Sequence, residues 1–222
     1  MISIWIDGAC KANGKPECIS AGGLFIVDNK MRTYARTVHE FNSTSQRGEI
    51  HALIEALVIC HEYVLHCESD FRIVTDSEYM YNTVTKGWLS NWERKGWITA
   101  AGDPVKNKDL WERISTLLVG LEDLSMFHIK GHCLSIGKVA GAVLIATDPS
   151  GSSLRDRLYE IYQKAKPERL VEARELFLKN HDYEVPDEDT LKELIVGNCV
   201  ADFIATDYVT CVHSNWNNNK EA

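Results

Sequence analysis

Apolar and polar residues alternate from the start of the chain. Ile2, Ile4 and Ile6 fall on one face, and Ser3, Trp5 and Asp7 on the other. A period of two predicts a strand buried on at least one side, ending at Asp7-Gly8-Ala9. Lys11 to Ser20 reads as a turn-rich connection. Ala21 to Val27 and Thr33 to Phe41 read as two further strands, with Asp28-Asn29-Lys30 as the turn between them. Three strands on short turns form an antiparallel meander. The period then changes. Ile50, Leu53, Ile54, Leu57 and Val64 recur at helical spacing, with Ser43, Thr44 or Ser45 to cap the start and Glu49 in the first turn. Phe71 to Asp76 returns to a short apolar run, and a strand after a long helix implies a parallel crossover.

The second half is less regular. Ser77 to Val84 reads as a short helix, Asp109 to Leu121 as another, and Leu124 to Ile129 as a strand. Four of the six tryptophans, Trp88, Trp92, Trp97 and Trp111, fall between Lys86 and Arg113 among basic residues. From Cys133 to Val196 the pattern predicts two or three helices, with Pro167 favourable at a first turn. A last helix begins near Pro186 and carries Asp202 well inside it. The expected organisation is a five-stranded mixed sheet flanked by helices, an α/β fold. Residues 1–132 form the first part of its core, 133–196 a helical insertion, 197–212 the last core helix and 213–222 a polar tail.

Composition narrows the function classes. A net charge of −8 gives no general attraction for polyanions, so any nucleic-acid contact requires a local basic patch. The stretch 133–196 holds nine Lys and Arg against twelve Asp and Glu, which makes it an improbable clamp for nucleic acid and a candidate protein-binding surface. Within that stretch, the apolar run Val139 to Ala146 is expected to pack on the core or form an interface. Seven cysteines with no CxxC pair fit reduced thiols in the cytoplasm. No run is read as a membrane span and no signal segment is seen, so membrane contact is not expected, and the chain is expected to act as a monomer. Cys60-His61 and His66-Cys67 flank one helix end, but their spacing matches no zinc finger.

The candidate chemistry lies in acids at element boundaries. Asp7 stands at a strand tip, Glu49 at a helix start, Asp76 at a strand end and Asp202 on a late helix. Carboxylates brought close together do not all stay ionised without cations between them, and hard oxygen ligands select Mg²⁺ or Mn²⁺. In order, the segments are IDGACKANG, SQRGEIHAL, VTDSEYM, HIKGH and GNCVADFIA. This order, and the spacing as far as His132, resembles ribonuclease H of type 1, over Met1 to His132 and again from about Gly197. The passage from Lys86 to Trp111 is similar to the basic handle of that family.

The resemblance implies a ribonuclease H-like fold and endonucleolytic cleavage of the RNA strand of an RNA–DNA hybrid, leaving 5′-phosphate and 3′-hydroxyl ends. It implies Asp7, Glu49, Asp76 and Asp202 as ligands of two Mg²⁺ ions, with Mn²⁺ as a substitute. It places His132 beside them for proton transfer or product release. Asn13, Thr44, Ser45, Gln46 and Asn198 are its implied substrate contacts, and Trp92 and Lys95 those of the handle. In the family the KGH motif is followed closely by the last acid. Here some sixty residues intervene. The rival readings are a hybrid- or protein-binding module of the same fold without activity, and a DNA-cleaving nuclease of that fold.

Overall fold

A computed structural model describes residues 1–13, 15, 18–65, 70–133, 160, 162–163, 167–181 and 186–218, the last four as backbone. The apolar run 139–146, much of the stretch expected to hold the insertion's helices, His66, Cys67 and the end of the tail lie outside the described residues. Eleven described elements follow in order. They are β1 (Ile2–Lys11), β2 (Ile19–Val27), β3 (Thr33–Phe41), α1 (Ser45–Val64), β4 (Phe71–Thr75), α2 (Glu78–Thr85), α3 (Trp88–Arg94), α4 (Lys108–Leu118), β5 (Leu124–His128), α5 (Pro167–Asn180) and α6 (Glu188–Asn218).

The five strands form one mixed sheet in the order β3-β2-β1-β4-β5. The first three are antiparallel neighbours, while β4 lies parallel to β1 and β5 parallel to β4. The alternation in β1 sorts its side chains between two cores. Ile2, Ile4 and Ile6 pack under α1 to α4 with Leu53, Leu57, Ile73 and Trp111. Trp5 points to the opposite face and packs with Phe25, Val74 and the α5 and α6 residues Phe177, Leu194 and Val200. Each buried aliphatic side chain stabilises by about 1.5–3 kcal/mol, so this one strand contributes to both layers.

Several expectations change. β1 does not stop at Asp7: Asp7 pairs with Gly23, and the ladder continues to Lys11 opposite Ile19. Gly8 and Ala9, expected to end the strand, instead lie within it, and Gly8 lets it run beneath α1. Ser77 caps α2 rather than opening it, accepting from the Met80 amide. Thr44 is the cap of α1, accepting from the Arg47 amide at 3.3 Å. Val64, assigned to the buried stripe of α1, is 48 % exposed, because the stripe closes at Cys60.

The insertion is not a separate layer in its described part. Ala173 and Phe177 of α5 are buried beside Phe127, and the rings of Phe127 and Phe177 meet edge to face at 5.6 Å. α6 opens on Asp187, which accepts from the Thr190 amide at 2.9 Å, and runs unbroken to Asn218. The divisions expected at residues 196–197 and 212–213 therefore fall inside one helix. Against the expectation of no such run, its Glu188–Ser214 portion is long and apolar enough to cross a membrane by length and composition. Its apolar face is occupied by Trp5, Phe25 and Val74, the pattern of a core helix. Buried Arg72 of β4 ties the start of α6 to the sheet, donating to Glu193 at 2.5 Å and to Ser3 at 2.9 Å.

Candidate active site

Four acids from four elements meet at one end of the sheet. Asp7 lies in β1, Asp76 one residue past β4, Glu49 in the first turns of α1, and Asp202 midway along α6. Close approach of helix to strand makes the convergence possible. A Cβ on Gly8 would lie 2.5 Å from the Cγ of Glu49 and 2.6 Å from its amide nitrogen. Only a residue without a side chain lets α1 seat Glu49 against β1. Gly131 does the same for the loop after β5, since a Cβ there would lie 2.1 Å from a carboxylate oxygen of Asp76.

The electrostatics follow from this crowding. Asp7 is 7 % exposed, and its carboxyl titrates well above the ordinary range. Burial is the largest cause, followed by the charges of Asp76, Asp202 and Glu49, while the Gly8 amide opposes them by donating at 2.6 Å. Burial also raises Asp76, against the stabilising charge of His132 and a hydrogen bond from Asn198. Glu49 is raised by burial and by Asp76, with a Ser77 hydrogen bond in opposition. Such a cluster is relieved by a cation or by protons.

Among the described residues no three His, Cys, Asp or Glu side chains form a ready-made cation cage. The donor set nevertheless fits a hard divalent cation, being all oxygen and acidic. The buried Asn198 side-chain oxygen has no hydrogen-bond partner, and lies where a cation or its water shell would supply one. His132 sits on the rim with 78 % of its side chain exposed, in the left-handed conformation (φ 54°), and its Nδ1 is 3.6 Å from Asp202.

A polar groove adjoins the acids, lined by Asn13, Thr44, Ser45, Gln46, Glu49, Lys106 and Asn107. The first four are the residues expected to touch substrate. Lys106 and Asn107 were not singled out as contacts, although they lie in the basic passage. Asn107 donates to the Gln46 side chain at 3.1 Å and accepts from Arg47 at 3.4 Å, and Arg47 also pairs with Glu40 and Asp109. This network locks the start of α4 to the start of α1 and sets one wall of the groove.

Two expected contacts lie elsewhere. Trp92 is 7 % exposed and packs against Tyr79 and Trp111, so its ring is core and offers no free face for a base. Trp88, at 41 %, is the exposed indole of the handle. Lys95 is exposed. Asn198 is 1 % exposed and bonds Asp76, which makes it a support for that acid rather than a surface contact. Helical spacing in α6 determines this: Asn198 and Asp202 are i and i+4 on the face turned to the sheet.

The RNase H family model matches residues 1–140 of the chain. The ribonuclease H of Polynucleobacter asymbioticus is 39 % identical over 133 residues, which are 59 % of this chain and 78 % of that protein. The enzyme of that name from Thermus thermophilus is 38 % identical over 132 residues, 59 % and 73 % of the two chains. That from Clostridium botulinum is 31 % identical over 131 residues, 59 % and 83 %. In fold, the chain is similar to a foamy viral protease-reverse transcriptase solved with an RNA/DNA hybrid. The TM-score is 0.51 at 20 % identity, over 58 % of this chain and 17 % of that one. With the family model covering more than half its length, the chain belongs to the ribonuclease H family, whose members are hydrolases that cut RNA paired with DNA.

Proposed function

We propose that this protein cuts the RNA strand of RNA–DNA hybrids internally, by metal-assisted hydrolysis that leaves 5′-phosphate and 3′-hydroxyl ends. The observation that carries the reading is the convergence of Asp7, Glu49, Asp76 and Asp202 beside the groove of Asn13, Ser45, Gln46 and Lys106. Asp7, Glu49, Asp76 and Asp202 are the residues to hold two Mg²⁺ ions, or Mn²⁺ in their place. Bound there, the ions supply a water made acidic enough to attack and a counter-charge for the leaving oxygen. The water oxygen bonds to phosphorus, the bond from phosphorus to the 3′ oxygen breaks, and that oxygen takes up a proton.

The protein's own groups do the rest. Asn198 and Ser77 orient the carboxylates of Asp76 and Glu49. His132 is exposed at the rim beside Asp202, placed to carry a proton to or from the solvent side. Ser45, Gln46 and Asn13 offer hydroxyl and amide groups at the height of the acids, the type that reads 2′-hydroxyls and so separates RNA from DNA. Lys106, with Lys95 and Trp88 further along the handle, supplies local attraction for phosphate that the net charge of −8 does not.

The test is cleavage of end-labelled hybrid and of matched DNA duplex, with Mg²⁺, Mn²⁺ or chelator, by wild type and Asp76→Asn. Cutting of the RNA strand alone, dependent on metal and lost in Asp76→Asn, is expected. Absence of cutting by folded wild type would leave a binding module, and cutting of the DNA duplex would point to a DNA nuclease of this fold.

A further inference from the structure

We infer that the insertion helix α5 is part of the catalytic apparatus, with Asn180 at its end acting as a positioning residue that sets Asp76 through His128. The inference rests on the proposed role of Asp76. Asp76 follows the last residue of β4, so its carbonyl has left the ladder and needs another donor. His128, the last residue of β5, provides one: its Nε2 lies 3.1 Å from that carbonyl oxygen. His128 is 4 % exposed, and its other nitrogen, Nδ1, lies 2.7 Å from the side-chain amide of Asn180.

The two contacts determine each other. A carbonyl oxygen only accepts, so Nε2 must carry the proton, and in a neutral ring Nδ1 is then an acceptor. The Asn180 amide nitrogen, which only donates, is the matching partner. Without it Nδ1 is left as a buried acceptor with no donor, and the ring loses the contact that holds its Nε2–H on the Asp76 carbonyl. Asn180 is itself held on the other side, since its carbonyl accepts from the Tyr81 hydroxyl at 2.9 Å, and the Tyr81 ring stacks on His128. α5 also grips the loop that follows β5. Glu172 pairs with Lys130 at 3.6 Å, and the Cys133 thiol donates to the Arg169 carbonyl at 3.8 Å. Asp76 is thus held at its backbone by His128, and three residues further along the same segment Gly131, having no side chain, lets the loop pass close to the Asp76 carboxylate.

A long-range proton–nitrogen NMR spectrum of the full chain, without nucleic acid or metal, reads the His128 tautomer directly. The wild type is expected to show a protonated Nε2 and a bare Nδ1. Asn180→Leu, similar in volume and lacking the donor, is expected to keep the protonated Nε2, to shift the Nδ1 resonance as its hydrogen bond is lost, and to lower kcat for hybrid about tenfold with KM within about twofold. His128→Gln, which restores a donor toward Asp76, is expected to keep more activity than His128→Leu. A bare Nε2 in the wild type overturns the inference, as does an Asn180→Leu protein with wild-type kcat. Equal kcat values for the two His128 variants would also overturn it. If the wild type cuts no hybrid, the functional reading fails, while the spectrum still decides the contact.

Discussion

Gly197→Ala sets two effects of opposite sign against each other. Gly197 lies inside α6, where replacing glycine by alanine ordinarily stabilises a helix by about 1 kcal/mol. Here the new Cβ would stand 2.2 Å from Cε2 of Trp5 and 2.4 Å from its Cδ2 and Nε1. Trp5 is fully buried, and its indole N–H donates to the Leu194 carbonyl at 3.1 Å, so the ring has no free space to enter. Overpacking of a tight core costs about 1–3 kcal/mol. Separating the indole from its acceptor leaves a buried donor unpaired at about another 1–3 kcal/mol. Together these outweigh the helix gain and leave a net loss of roughly 3 kcal/mol. At about 2–4 °C per kcal/mol for a chain of this size, the midpoint of thermal unfolding should fall by roughly 6–12 °C. Scanning calorimetry or thermal circular dichroism reads it. The same shift displaces Asn198 and Asp202, so activity should fall more than stability alone requires. A Trp5→Leu background removes the ring, and there Gly197→Ala should cost far less, the coupling expected of residues in contact. A midpoint that rises in the single variant would refute the reasoning, because propensity would then have prevailed over packing.

Asp7→Asn should abolish cleavage yet stabilise the metal-free protein at pH 7, because the carboxylate it removes is buried among like charges. The sign follows from the raised pKa. The folded state binds the Asp7 proton more tightly than the unfolded state, so stability falls as pH rises from the unfolded value, about 3.9, through the folded one, and the penalty is complete above it. Denaturant midpoints in chelator across that range should fall with pH more steeply for wild type than for Asp7→Asn, and parallel curves would contradict the buried-charge account. Lys106→Ala should weaken hybrid binding and reduce the slope of log affinity against log salt by about one, measured by anisotropy. An unchanged slope would remove Lys106 from the phosphate path.

How much of the protein is legible in the sequence depends on how local each cause is. The three-stranded meander, α1 with its Thr44 cap and the crossover to β4 are written in periods of two and 3.6 and in a few turn residues. Asp7, Glu49 and Asp76 could be picked out because each sits where one of those patterns changes. Whether Trp92 stacks on a base or on Trp111 could not be read, since aromatic and basic residues interleave in the same way in either case. Asn198 entered as a contact through the family resemblance of its motif, and only the packing of α6 on Trp5 and Val74 turns it inward to Asp76. Lys106 and Asn107 become part of the groove through a network from Arg47, some sixty residues earlier in the chain. The helical character of the insertion was visible, but its meeting with His128 was not. Periodicity tells which face of an element is buried, and the partner of that face is decided only when distant segments compete for the same surface.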